Sequence, residues 1–202
     1  MKRLDCGLLA LVILTVLAAG CGNRRSAGSQ EGSQTGSLAG SQPEEAVTYF
    51  TAIDKYLVEK IAPGYADADI CIPFNNYVAV DESNADDIQV WGNFWVLNYT
   101  QAGDTLKCVS GGNHAGKMHV RQLGDNGFEV TSFEQVGDGS EFLPTAKAIF
   151  GDKFDEFMSA YSDQDKREAK RKEVIAGYVR KHELPVKVYQ DYGWPAVPIP
   201  LD

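Results

Sequence analysis

The sequence predicts an α+β domain: an N-terminal helix packed on a curved antiparallel meander sheet, with C-terminal helices added. Three observations lead there. Residues Ile88 to Thr100 form a long β-prone run that is apolar on both faces, with Ile88, Val90, Phe94 and Val96 on one and Trp91, Trp95, Leu97 and Tyr99 on the other. A strand without a polar face belongs in the centre of a sheet that is covered on both sides. The chain around and after this run is punctuated by turn signals at Ala102-Gly103, Gly111-Gly112-Asn113 and Asp125-Asn126-Gly127. Asn-Gly favours a tight hairpin because both residues tolerate positive φ, and strands joined so closely run antiparallel. Ahead of the sheet, Phe50, Ile53, Leu57 and Ile61 recur at helical spacing and make one apolar stripe.

Taken in order, the first helix is expected from Pro43 to Ile61. Pro43, Glu44 and Glu45 suit its first turn through fixed φ and the helix dipole, and Pro63-Gly64 ends it. A first strand follows from about Ile70 to Val80, where Pro73 removes a backbone donor and so argues for a sheet edge or a bulge. Acidic clusters flank it, Asp67 and Asp69 before and Asp81, Glu82, Asp86 and Asp87 after. They lack the ordered spacing of a calcium loop and read as solvated strand ends. After the central strand come segments at about Thr105 to Ser110, Ala115 to Leu123 and Phe128 to Val136, and Gly137-Asp138-Gly139 closes the sheet. Residues Pro144 to Ser159 read as helix, with Gly151-Asp152 placed to break it in two. Ser162 is the expected N-cap of a last helix running to His182, with Val174, Ile175, Tyr178 and Val179 as its apolar strip. Lys166, Arg167, Lys170, Arg171 and Lys172 read as its charged, solvated face, in part paired with Glu168 and Glu173. A short strand at Val186 to Tyr189 precedes an aromatic, proline-punctuated tail containing Tyr192 and Trp194. That tail either pins itself to the domain or presents a binding edge.

The first twenty residues have a different character. Met1-Lys2-Arg3 is basic, Leu8 to Leu17 is an apolar run too short to span a bilayer, and small residues follow. The run closes with Leu17-Ala18-Ala19-Gly20-Cys21. This segment resembles the lipobox of bacterial lipoproteins, and the resemblance implies cleavage before Cys21 and diacylation of that cysteine. Two acyl chains anchor stably, since each buried methylene contributes about 0.8 kcal/mol. Gly22 to Gln42 is almost entirely Gly, Ser, Gln, Ala and Thr, a composition that cannot bury enough apolar surface to order itself. The expected layout is therefore a signal peptide over residues 1–20, the lipidated Cys21 and a flexible tether over 21–42, and a single α+β domain over 43–202. The expected location is outside the cytoplasm, held to a bacterial membrane.

Charge narrows the partners. The chain carries 19 Lys and Arg against 28 Asp and Glu, a formal net charge of −9. Without residues 1–20 the balance is 17 against 27. A domain this acidic repels nucleic acid. Four cysteines are present; Cys6 leaves with the signal and Cys21 takes the lipid. Cys71 and Cys108 remain in an oxidising compartment, either as a disulfide or as two separate buried thiols.

Two side-chain groups are candidates for function. Trp91, Trp95 and Tyr99 either line a pocket or form plain core beneath a helix. Lys117, His119 and Arg121 share one strand face, as either a receiver for a ligand carboxylate or phosphate or a solvated outer stripe. His114 and His119 are five apart and face opposite ways on a regular strand, so they do not share a metal. No residue pattern specifies a cofactor. The element order from Pro43 to Val136 resembles the cystatin-like and NTF2-like group of α+β folds, in which sheet and helix often enclose a pocket. Three functions fit: a membrane-anchored binding domain for a small-molecule, protein or cell-wall partner; a pocket enzyme of hydrolase or isomerase type; and a structural envelope lipoprotein. The lipobox reading makes a direct prediction. Cys21→Ala abolishes incorporation of a labelled fatty acid into the protein and releases it from the membrane fraction, as read by gel autoradiography and fractionation.

Overall fold

Trp91 and Phe94 lie three residues apart on one strand and are buried in two different cores, one on each side of the sheet. In a computed structural model the structure describes residues 48–124 and 127–201. The fold is α+β, with a curled, mainly antiparallel half-barrel sheet and helices on both faces. The signal segment, Cys21, the tether, the expected helix start at Pro43 and the Asp125-Asn126 part of the hairpin turn lie outside the described residues.

Helix α1 spans Tyr49–Tyr56 and continues through a wider turn at Leu57–Ile61 and a tight one at Ala62–Gly64. Thr48 caps it: the Thr48 hydroxyl accepts from the Thr51 amide, and the Thr51 hydroxyl accepts from the Thr48 amide. Strands β1 (Ile70–Asp81), β2 (Ile88–Ala102), β3 (Thr105–Leu123) and β4 (Gly127–Gln135) follow as an antiparallel meander. Strand β1 lies at the sheet edge, in keeping with Pro73. Then come α2 (Phe142–Phe150), α3 (Phe154–Ser162), α4 (Gln164–Lys181) and two short strands, β5 (Val188–Gln190) and β6 (Val197–Pro198). A tight turn at Gly151–Lys153 separates α2 from α3, where Gly151-Asp152 places the break. The cap of α4 is Asp163 and not Ser162; the Asp163 carboxylate accepts from the Lys166 amide.

Strand β2 organises the packing. Its Ile88, Val90, Phe94 and Val96 pack with Met118 and Val120 of β3 under Ile53 of α1 and Leu57 of the wider turn that continues it. On the other face, Leu97 and Tyr99 pack with Ile72, Phe74 and Leu106 under Ile175, Ala176 and Val179 of α4. Trp91 and Ala115 pack beneath Ala146, Phe150 and Phe157 of α2 and α3. Each buried side chain of this size contributes about 1.5–3 kcal/mol, so β2 carries a large share of the stability from both sides.

One strand boundary differs from the sequence reading. Gly111-Gly112-Asn113 is not a turn, and β3 runs unbroken through it as a single long strand. A Cβ on Gly111 would collide with the Val96 carbonyl of the neighbouring strand, and one on Gly112 with the Tyr65 hydroxyl. These glycines permit close approach within a strand. Extra residues at Val78, Val109 and Thr131 interrupt the three pairings of the meander and add to the curl.

The long β3 holds two partners along one edge. Gly116 to Leu123 pairs with β4, while Thr105 to Lys107 pairs in parallel with β5. Strand β6 pairs with β5. The glycine geometry predicts a graded effect. Gly111→Ala lowers stability by roughly 1–3 kcal/mol because the obstacle is backbone. Gly112→Ala costs less because a tyrosine ring end can move, and urea unfolding of the two variants measures the order.

Candidate functional site

The sequence nominates two side-chain groups, and the structure decides between the readings of each. Trp91 is buried under α2 with its indole N–H donating to the Ile149 carbonyl at 2.9 Å. Trp95 stacks against Phe74 at 6.0 Å between ring centres, and the Arg167 guanidinium lies 5.7 Å over its ring. Tyr99 is fully buried. The three residues do share a face, but helices cover it, and four clefts elsewhere on the domain are lined by other side chains. Of the two readings of this face, core holds for Trp91 and Tyr99, with Trp95 partly buried against it.

The basic stripe is also spoken for. Lys117 Nζ is 2.8 Å from Glu134. His119 lies between Asp87 at 2.6 Å and Glu134 at 2.8 Å. Arg121 pairs with Glu129. Hydrogen bonds from Lys117 and then His119 hold the Glu134 carboxyl below its usual range. An incoming anion would have to displace resident carboxylates, so the anion-receiver reading of Lys117, His119 and Arg121 is corrected to an internally neutralised stripe. His114 faces the opposite side of β3, bonded to the Tyr65 hydroxyl at 2.8 Å.

Cys71 and Cys108 are free thiols. They sit on β1 and β3, opposite Asn98 and Tyr99 of the intervening β2. Two inter-strand spacings separate them by about 10 Å, beyond disulfide reach. Asn98 and Tyr99 are also adjacent on β2, which sends the two thiols to opposite faces. The disulfide alternative is overturned in favour of separate thiols. Burial raises the pKa of each, which keeps the thiol protonated and a poor nucleophile.

The polar centre that sequence reading missed is Arg171. It belongs to the basic run of α4, yet only 9% of its side chain is exposed. Its Nη1 donates to Asp191 Oδ2 at 2.7 Å and its Nη2 to Asp191 Oδ1 at 2.6 Å, a two-pronged pair. Nη2 also donates to the Tyr99 hydroxyl at 2.9 Å, and the guanidinium lies 4.9 Å over the Tyr189 ring. One side chain from α4 thus ties the β5–β6 arm to the centre of the sheet. A signal for it existed. Arg171 lies four residues before Ile175 and eight before Val179, on the same buried stripe of the helix.

Beyond Asp191 the arm turns through Tyr192, Gly193 and Trp194. The Trp194 amide donates to the Asp191 carbonyl, and the Gln190 side chain donates to the Trp194 carbonyl. Gly193 takes positive φ, as this turn requires. The turn leaves Tyr192 97% exposed and Trp194 71% exposed. Open clefts of about 390 and 410 Å³ flank it. The first is lined by Lys107, Cys108, Val109 and residues 190–193; the second includes Glu168, Tyr189, Trp194 and Pro195. Asp191 borders both. The arm therefore presents two bare aromatic tips on a clamped base.

Among known proteins, no family model matches the chain, and neither the curated proteins nor the solved structures contain a significant match.

The Arg171–Asp191 pair predicts a pH-dependent stability. The Arg171 hydrogen bonds hold the Asp191 carboxyl below its usual range despite partial burial. A depressed carboxyl stabilises the fold fully above the ordinary value near 3.9 and loses that contribution as pH falls through the lower folded value. Asp191 is 38% exposed. Asp191→Asn is therefore expected to cost about 2 kcal/mol at neutral pH, between the value of a surface pair and the 3–5 kcal/mol of a fully buried one. Urea unfolding of both proteins from pH 7 to pH 2 is expected to show the gap closing only below about pH 4.

Proposed function

We propose that this chain is a lipid-anchored protein of the bacterial cell envelope whose folded domain docks a protein or cell-wall partner without catalysing a reaction. The observation that carries the docking is the arm tip. Two large aromatic side chains stand in solvent on a turn whose base is held by a part-buried ion pair. Exposed aromatics cost little conformational entropy on binding and supply large contact area, which is why they dominate interaction hot spots. The adjoining clefts are open rather than enclosed, which favours an extended or macromolecular partner over a small molecule. Envelope anchoring rests on Cys21 within Leu17-Ala18-Ala19-Gly20-Cys21 and on the polar composition of Gly22 to Gln42.

The test places a photo-crosslinking amino acid at Tyr192 or Trp194 of the full-length chain in its native membrane, with Glu59 as an exposed control position. Discrete adducts from the two arm positions and none from Glu59 are expected. A Trp194→Ala change is expected to lower the Tyr192 adduct yield at least fivefold. Equal labelling from all three positions would overturn docking through the arm.

A further inference from the structure

Along one edge β3 is paired at both ends and open in the middle. Strand β5 accompanies it only as far as Lys107, and β4 joins it only from Gly116, with the Val136 amide reaching Ala115. From Cys108 to His114, no described residue offers this edge a main-chain partner beyond β2. Alternate residues of an antiparallel strand turn their N–H and C=O groups away from the strand already paired with them. An edge of this kind is a template for a further strand.

The arm explains why the edge opens here. Strand β5 runs parallel to β3 and would cover the next residues if it continued. It turns aside at Asp191 instead, because Arg171 holds that carboxylate toward α4. The space it vacates is the cleft of about 390 Å³ between Lys107, Cys108 and Val109 on one side and Gln190 to Gly193 on the other. Val109 is 46% exposed there, and the fully exposed Tyr192 borders the same cleft.

The geometry points to Cys108–His114 of β3 as a docking edge for an extended peptide segment of a partner protein, which adds as a strand between β5 and β4 and places an apolar side chain beside Val109 and Tyr192. Unpaired main-chain groups call for another extended main chain. A stretch of this length spans about 20 Å and takes roughly six residues. A second copy of the domain does not fit, because its own open stretch is equally recessed between β5 and β4, and two recessed edges cannot meet. The chain's formal net charge of −9 favours a segment that is neutral or basic.

This inference rests on the partner-docking reading, but its test does not use the partner. Random octapeptides displayed on phage are selected against the full chain in detergent, and the enriched peptides are synthesised. Hydrogen exchange is expected to show slowed amides within Val109–Asn113 when a selected peptide is bound. Moving a single N-methyl group along the peptide backbone is expected to weaken binding about tenfold or more at alternate residues and little at those between. Val109→Glu, at an exposed position, is expected to weaken binding at least fivefold with unchanged unfolding. Failure to enrich any peptide, protection elsewhere on the domain, or an N-methyl series without alternation would overturn strand addition. A dimer in light scattering that Val109→Glu dissolves would reassign the edge to a second copy and overturn it as well. These outcomes leave cross-linking at Tyr192 and Trp194 free to succeed or fail independently.

Discussion

The two-sided burial of β2 is the constraint on which the rest of the structure depends. A strand with Trp91, Leu97 and Tyr99 on one face and Val90, Phe94 and Val96 on the other cannot be left against water on either side. One helix is enough for the aliphatic face, where α1 and the wider turn that continues it lay Ile53 and Leu57 across the curl of the sheet. The aromatic face is longer and bulkier, and it takes three helices: α2 and α3 over Trp91, and α4 over Leu97 and Tyr99. The bulges and the glycines of β3 follow from the same demand, since the sheet must curl to wrap its contents.

A hydroxyl at the end of the aromatic face creates the second organising feature. Tyr99 is fully buried, and its O–H needs a partner. Arg171 supplies one, and a buried guanidinium in turn needs a carboxylate. Asp191 answers from the arm. This chain of requirements runs from the core to the surface and positions Tyr192 and Trp194. The arm is thereby organised in advance of any partner, which lowers the entropy cost of docking. The same clamp stops β5 from covering the middle of β3, so the aromatic tips and the open edge have one physical origin.

The legible parts of the sequence were those in which local pattern and tertiary environment agree. The two faces of β2, the stripe of α1, the break at Gly151-Asp152 and the edge position of the strand with Pro73 all express their environment in short-range spacing. Gly111-Gly112 misled because glycine serves both turns and close strand approach, and only the neighbours decide between them. The Lys117, His119 and Arg121 stripe was correctly placed on one face, but the carboxylates that neutralise it come from Asp87, Glu129 and Glu134, and their arrival depends on the register of β4 and on the loop before β2. Arg171 was hidden among five basic residues of α4, of which Arg167 also turns inward, over the Trp95 ring.

The sequence alone determined the α+β class, the central place of β2 and the antiparallel order of the meander. Each follows from periodicity and turn chemistry within a few residues. Tertiary structure alone decided that Cys71 and Cys108 stay apart, that Trp91 and Tyr99 are core with Trp95 packed against it, and that Arg171 clamps the arm. Arg171 meets Asp191 across 20 residues of chain and Tyr99 across 72. Polar pairings over such separations are set by how whole elements dock, and the hydrophobic pattern that drives docking does not record which charges it brings together.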